Sequence, residues 1–240
     1  MNVLTAEWTK ARTIRSTVGT LLVTAALTVG TALLVALTGS LHPGEPVLAA
    51  ALGNSVLGLV GAGAFGVLMV STEYSGGTIR ATVAAVPRRS AVLLAKAAVT
   101  GAAVFVVALV ASAVAFGGSA LLLDRADHPL GNPLSGLLGA ALCHVTAALL
   151  GLAFGSVLRS AAGGICAVAG LLLVPTLFGS LLGPAEPWVT GGTPVAALQK
   201  FAGATEAPGS VAAWPTVALV AGYTGAVLAG SVALFRRRDV

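Results

Sequence analysis

The sequence predicts an all-α integral membrane protein. It has six transmembrane helices with both ends in the cytoplasm (N-in/C-in), an N-terminal interfacial amphipathic helix, and a short cytoplasmic helix between spans two and three. Three observations carry that reading. Hydrophobic residues make up 57% of the 240 and charged residues only 9%, where soluble domains carry about 25% charge. Six apolar runs each approach or exceed the roughly 20 residues that a spanning helix needs. Lys and Arg collect in alternate loops, as the positive-inside rule requires of short cytoplasmic loops.

The first run, 18–37, holds no charge. It is too long, and its basic leader too extended, for a cleaved secretory signal. The turn from Gly39 to Pro46 ends it. The second run, 47–70, stops at the polar stretch 71–90, and the third, 91–122, is longer than a bilayer demands, so it tilts or protrudes. Asp124 to Pro129 closes the third run; the fourth, 134–158, ends at Arg159, and the fifth, 161–182, follows after a very tight turn. A longer segment, 183–212, precedes the sixth run, 213–235, which Arg236, Arg237 and Arg238 terminate.

On one side of these spans lie Lys10, Arg12, Arg15, Arg80, Arg88, Arg89, Lys96, Arg159, Arg236, Arg237 and Arg238; the other side has only Arg125 and Lys200 of the 13 basic residues. Five of the eight acids (Glu45, Asp124, Asp127, Glu186 and Glu206) fall on that poorer side. Both ends are therefore expected in the cytoplasm of a multi-pass protein of the cell (plasma) membrane. The net charge of +5 follows from this partition. No basic stripe with interleaved aromatics suggests nucleic acid. Cys143 and Cys166 both sit in apolar runs and read as small buried hydrophobes rather than a disulfide.

Three stretches go beyond topology. In 2–16, a helix would place Leu4, Trp8 and Ala11 together with Lys10 and Arg12 flanking, which suits the headgroup level. Glu7 interrupts that face, and the plain alternative is an ordinary basic leader. In 71–90, residues 78–86 are helix-compatible between the Gly76-Gly77 break and Pro87. A short helix held that way would be a rigid lever for a soluble partner; the alternative is a solvated loop. In 183–212, Thr193-Pro194 resembles a helix start. Val195, Leu198 and Phe201 would form its apolar side and Gly203 its stop, giving a short helix resting at or dipping into the outer interface.

The chemistry is mostly notable by elimination. There is no phosphate-binding loop, no zinc spacing, no catalytic constellation and no metal site. His42, His128 and His144 are scattered. His144 is the single ionisable side chain expected near a bilayer centre, which makes it a substrate-path candidate, against a neutral imidazole satisfied within the bundle. Without buried Asp, Glu, Lys or Arg, an ion-coupled secondary transporter is disfavoured. Small residues recur at four-residue spacing: Gly58, Ala62 and Gly66; Ala147, Gly151 and Gly155; Gly222, Ala226 and Gly230. Such stripes permit close helix approach, and Pro175 predicts a kink in the fifth span.

The leader Glu7-Trp8-Thr9-Lys10-x-Arg12-Thr13-x-Arg15-Ser16-Thr17 precedes the first span. Glu73-x-x-x-Gly77-Thr78-Ile79-Arg80-x-Thr82 follows the second, and Pro87-Arg88-Arg89 with Ala95-Lys96 opens the third. This combination resembles the permease subunit of a type-2 ATP-binding-cassette (ABC) exporter, of the small six-span kind common in high-GC actinobacteria. The topology covers the whole chain, 1–240, as one permease domain; the specific motif covers about Thr72 to Lys96. The resemblance implies that the leader is a connecting helix and 71–90 a coupling helix seated in a separate ATPase. Glu73, Gly77, Thr78, Ile79 and Arg80 would be its contact or support residues. It also implies two copies of the ABC ATPase subunit and a second permease chain, as homodimer or heterodimer. This chain would then be no enzyme and carry no cofactor, ATP and Mg being bound by the partner. The cargo would be hydrophobic or amphiphilic: a drug, as in multidrug resistance, a peptide antibiotic or a lipid. The competing readings are a stand-alone channel or secondary transporter, and a membrane immunity or assembly factor without an ATPase.

Overall fold

A computed structural model describes residues 3–77, 89–205 and 207–237. The described residues form helices and no strand: α1 (Val3–Thr13), α2 (Arg15–Thr38), α3 (Val56–Ser75), α4 (Arg89–Leu122), α5 (Pro133–Leu158), α6 (Ala161–Phe178), α7 (Glu186–Thr190), α8 (Pro194–Ala202) and α9 (Ala213–Arg237). Among them, six segments are long and apolar enough to cross a membrane: Arg15–Thr38, Val56–Tyr74, Ser90–Leu122, Pro133–Leu158, Ala161–Thr190 and Ala213–Phe235. The chain is thus a multi-pass membrane protein by length and composition.

Local chemistry sets the boundaries. Gly39, at φ 62°, ends α2 and returns its N–H to the Val35 carbonyl, a left-handed closure that glycine adopts without Cβ strain. The Asn132 side chain accepts from Ser135 N–H at 3.3 Å ahead of Pro133, starting α5. Arg159, at φ 53°, ends α5, and Ser160 Oγ accepts from Gly163 N–H at 3.2 Å to start α6 one residue later.

The second apolar run divides. Residues 49–53 form a π-helical turn, fully buried, which ends at Asn54-Ser55 before α3 begins at Val56. The spanning helix therefore starts nine residues after the run predicted over 47–70 and continues past its end. The fifth run also changes character: α6 gives way at Gly179 to a 3-10 stretch, broken at Gly183 (φ 53°, ψ −126°), and then to α7.

The centre of the bundle is α3 against α5, with 61% and 67% of their apolar windows buried, whereas α2, α6 and α9 bury 22%, 17% and 22% and form the rim. Small residues allow that central contact. A Cβ on Gly66 would collide with the Ala148 carbonyl, one on Gly151 with the Gly63 carbonyl, and one on Gly155 would come within 3.0 Å of the Val67 carbonyl. Two of the small-residue stripes thus meet backbone to backbone, as close membrane packing favours. The third stripe does not: Gly222 and Gly230 have nothing within 4 Å. On the peripheral α6, Cys166 is exposed, unlike buried Cys143, so only one of the two thiols sits in the core.

Loops gather at two opposite ends. At the α8 end, Val47 N–H donates to the Pro129 carbonyl at 2.8 Å, and Thr205 donates to Glu45 Oε1 through both N–H (2.9 Å) and Oγ1 (2.7 Å). The turns predicted on the charge-poor side are therefore in contact. Helix α8 has the predicted cap, with Ala196 N–H donating to Thr193 Oγ1 at 3.1 Å and Gly203 closing it at φ 71°. Its apolar side does not rest on a surface. Val195, Leu198 and Phe201 are all buried; a Cβ on Gly139 of α5 would strike the Phe201 ring, which meets Trp214 edge-on at 5.0 Å.

Candidate functional site

At the opposite end, four charged side chains from three helices converge. Lys96 Nζ, in the second turn of α4, donates to Glu7 Oε2 of α1 at 2.6 Å and to Glu73 Oε1 near the end of α3 at 2.8 Å. Lys10 Nζ donates to Glu7 Oε1 at 2.9 Å and to the same Glu73 Oε1 at 2.8 Å. Lys96 is 2% exposed and Glu7 1%, while Lys10 keeps its ammonium at the edge. Two ammoniums balance two carboxylates, the arrangement under which buried charge is tolerated. Burial pushes the Lys10 ammonium down, but its bonds to Glu73 and Glu7 more than reverse this and hold it above its ordinary value.

This cluster corrects one sequence expectation. Charged residues are buried on the span-forming helices α3 and α4, where none was expected. On the leader helix, Ala11 is buried beside Glu7 against the bundle, while Leu4 (51%) and Trp8 (46%) stay exposed. Glu7, accepting from Lys10 and Lys96, holds its side of the helix against the bundle. Leu4 and Trp8 instead edge a groove of about 350 Å3 against Ala98 and Ala102 of α4.

Beyond Glu73, Gly76 donates its N–H to the Thr72 carbonyl at 3.0 Å, and Gly77 turns left-handed at φ 67°. The Gly76-Gly77 break therefore ends α3, five residues beyond the predicted end of the run. The Arg159 guanidinium lies 5.5 Å from the Tyr74 ring centroid, bringing the α5–α6 turn beside this site through a cation–π contact. Of the sequence-derived coupling residues, Glu73 and Gly77 fall at this junction. Thr78, Ile79 and Arg80 lie outside the described residues. Sequence reasoning missed Glu7 and Lys96 as partners of Glu73. The available signal was Lys96, a lone cation several residues inside the apolar run 91–122.

His144 is remote from this junction. It is 0% exposed on α5, its Nδ1 2.8 Å from the Ala140 carbonyl and its Nε2 3.5 Å from Thr28 Oγ1. A Cβ on Gly58 would lie 3.0 Å from Nε2, so α2, α3 and α5 close around the imidazole. Two polar-lined cavities lie at the α8 end. One of about 270 Å3 is lined by Thr176, Ser180, Glu186, Thr190 and Gln199. Another, of about 320 Å3, is lined by His42, Glu45, Asn54 and Gln199.

No protein-family model and no curated protein matches this chain.

Proposed function

We propose that this chain is the membrane-spanning permease subunit of an ATP-driven exporter of the type-2 ABC kind. It would sit in the cell membrane with both termini cytoplasmic and be driven by a separate ATPase subunit. The observation that supports the reading most directly is Lys96, which joins Glu7 and Glu73 at 2.6 and 2.8 Å. The leader, the end of the second span and the start of the third are the elements a motor at the cytoplasmic face must move together. A buried ion cluster ties all three. Glu73 is a support residue in this proposal rather than a contact: its Oε1 accepts from both Lys96 and Lys10 while its Oε2 is buried without a hydrogen-bond partner among the described residues, and it anchors the root of the segment that carries Thr78, Ile79 and Arg80.

A secondary transporter would use buried charges as a proton or ion relay. This cluster does not favour it, because Glu73 lies two residues from the end of α3 and Lys96 in the second turn of α4, near a helix end rather than at mid-depth. In this reading two such chains pair with two ATPases, ATP and Mg stay on the partner, and the cargo is hydrophobic or amphiphilic. Copurification tests the proposal: a stoichiometric soluble ATPase should accompany the chain and be lost when Glu73 and Arg80 are both replaced by Ala. Retention of full ATPase-coupled transport by that double variant would end the coupling assignment.

A further inference from the structure

At the α8 end, a cavity of about 310 Å3 opens between α7, α8 and the start of α9, with Trp188, Gly191, Lys200, Gly209, Thr216 and Leu219 among its lining. Among the described residues its one charged group is Lys200, half-buried in the last turn of α8. Two hydrogen bonds fix the ammonium: Nζ donates to the Gly191 carbonyl at 3.2 Å and to Thr216 Oγ1 at 3.0 Å. Thr216 can accept because its own hydroxyl proton goes to the Ala212 carbonyl at 2.8 Å. An ammonium has three N–H donors, so one remains, and Lys200 forms no ion pair among the described residues. Burial pulls its proton affinity below the ordinary lysine value.

The walls supply the second half of the chemistry. Trp188, Val211 and Leu219 are 86%, 53% and 59% exposed, an apolar rim beside the start of a candidate span. Gly209, at φ 81°, passes close enough that a Cβ there would lie 3.6 Å from Nζ and 3.2 Å from Gly191 Cα, so any larger residue would narrow the space over the ammonium. A pinned cation without a counter-charge among the described residues, at the floor of an apolar-rimmed cavity, is matched by an anion attached to a hydrocarbon body. The volume suits a headgroup and leaves the tail outside along Leu219.

From this geometry we infer that the cavity binds an anionic headgroup carried on an apolar tail, in the first place an acidic lipid of the adjacent leaflet. The site rests on the six-span reading and is independent of the exporter proposal.

The test uses the full chain with Trp8→Phe and Trp214→Phe, leaving Trp188 of the three tryptophans, in phosphatidylcholine nanodiscs. Phosphatidylglycerol with brominated chains should quench Trp188 about fivefold more effectively per lipid than brominated phosphatidylcholine. Lys200→Gln should remove the difference and Lys200→Arg should keep it. Native mass spectrometry of the chain with all its tryptophans, counting retained phosphatidylglycerol, gives the same comparison without those substitutions. Dodecyl phosphate added from water should compete in a Lys200-dependent way; if it binds so while no lipid preference exists, the occupant is a soluble anionic amphiphile rather than a bilayer lipid. Equal quenching by both lipids with no effect of dodecyl phosphate overturns the site, as does a preference that survives Lys200→Gln.

Discussion

Lys96 and Glu7 stand 89 positions apart in the chain and 2.6 Å apart in the fold, the shortest ion pair among the described residues. It fastens the leader helix to the bundle at a point where both side chains are almost without solvent. Removing one partner of such a pair strands a buried charge, which costs about 3–5 kcal/mol in proteins generally. Lys96→Met should therefore lower the thermal midpoint in detergent strongly, because both carboxylates then depend on Lys10 alone. Glu7→Gln combined with Lys96→Met should cost less than the sum of the two single changes. Strict additivity would show that the pair is not coupled.

The loop tie at Glu45 predicts a dependence on acid. Burial pushes the Glu45 carboxyl up, but hydrogen bonds from Thr205 and His42 pull it below the usual carboxylate value of 4.5. A lowered folded-state pKa contributes stability that is present above the unfolded value and lost as pH falls through the folded one. Glu45→Gln should thus be less stable than the parent at pH 7, and the gap should close below about pH 4.5. Midpoints measured from pH 7 to 3 in detergent decide it; a gap that is constant or grows with acid contradicts the assignment.

The glycines of α5 and α9 should behave oppositely under the same substitution. A Cβ on Gly151 would meet the Gly63 carbonyl of α3, with no flexible atom to yield. Overpacking a tight contact costs about 1–3 kcal/mol, occasionally more. Gly222 has nothing within 4 Å, so Gly222→Ala should be neutral or slightly stabilising through helix propensity. Monodisperse yield and thermal midpoint of the two variants, side by side, test the α3–α5 contact. Equal tolerance would contradict it.

How much of this was legible in the sequence depends on whether a feature is local. The cap Thr193-Pro194 and the stop at Gly203 bracket α8 because capping needs only neighbours. What α8 touches depends on Gly139, more than fifty positions earlier, and no periodicity reveals that pairing. The run 47–70 read as one span because a buried turn is as apolar as a spanning helix; the cue was Asn54-Ser55, a polar interruption within it. Lys96 was counted as a loop cation because the positive-inside rule scores charge by position in sequence and takes no account of a carboxylate 2.6 Å away. The two small-residue stripes that meet and the one that does not share the same four-residue spacing of Gly and Ala. Only the fold separates them.

The ends of α2 offer the sharpest test of orientation. Its 24 residues span about 36 Å at 1.5 Å per residue, more than the roughly 30 Å hydrocarbon core. Thr13 just before it and Asp127 in the turn that follows α4 are both exposed, and they belong to the charge-rich and charge-poor ends respectively. Cysteines placed there singly, after Cys143→Ala and Cys166→Ser, should report opposite sides to a membrane-impermeant maleimide. Asp127→Cys should label in intact cells, and Thr13→Cys only after the membrane is opened. The reverse pattern would put Glu7, Glu73 and Lys96 outside the cell, beyond the reach of any ATPase, and the exporter reading would fall with it. Labelling of both in intact cells would instead contradict an odd number of crossings between them.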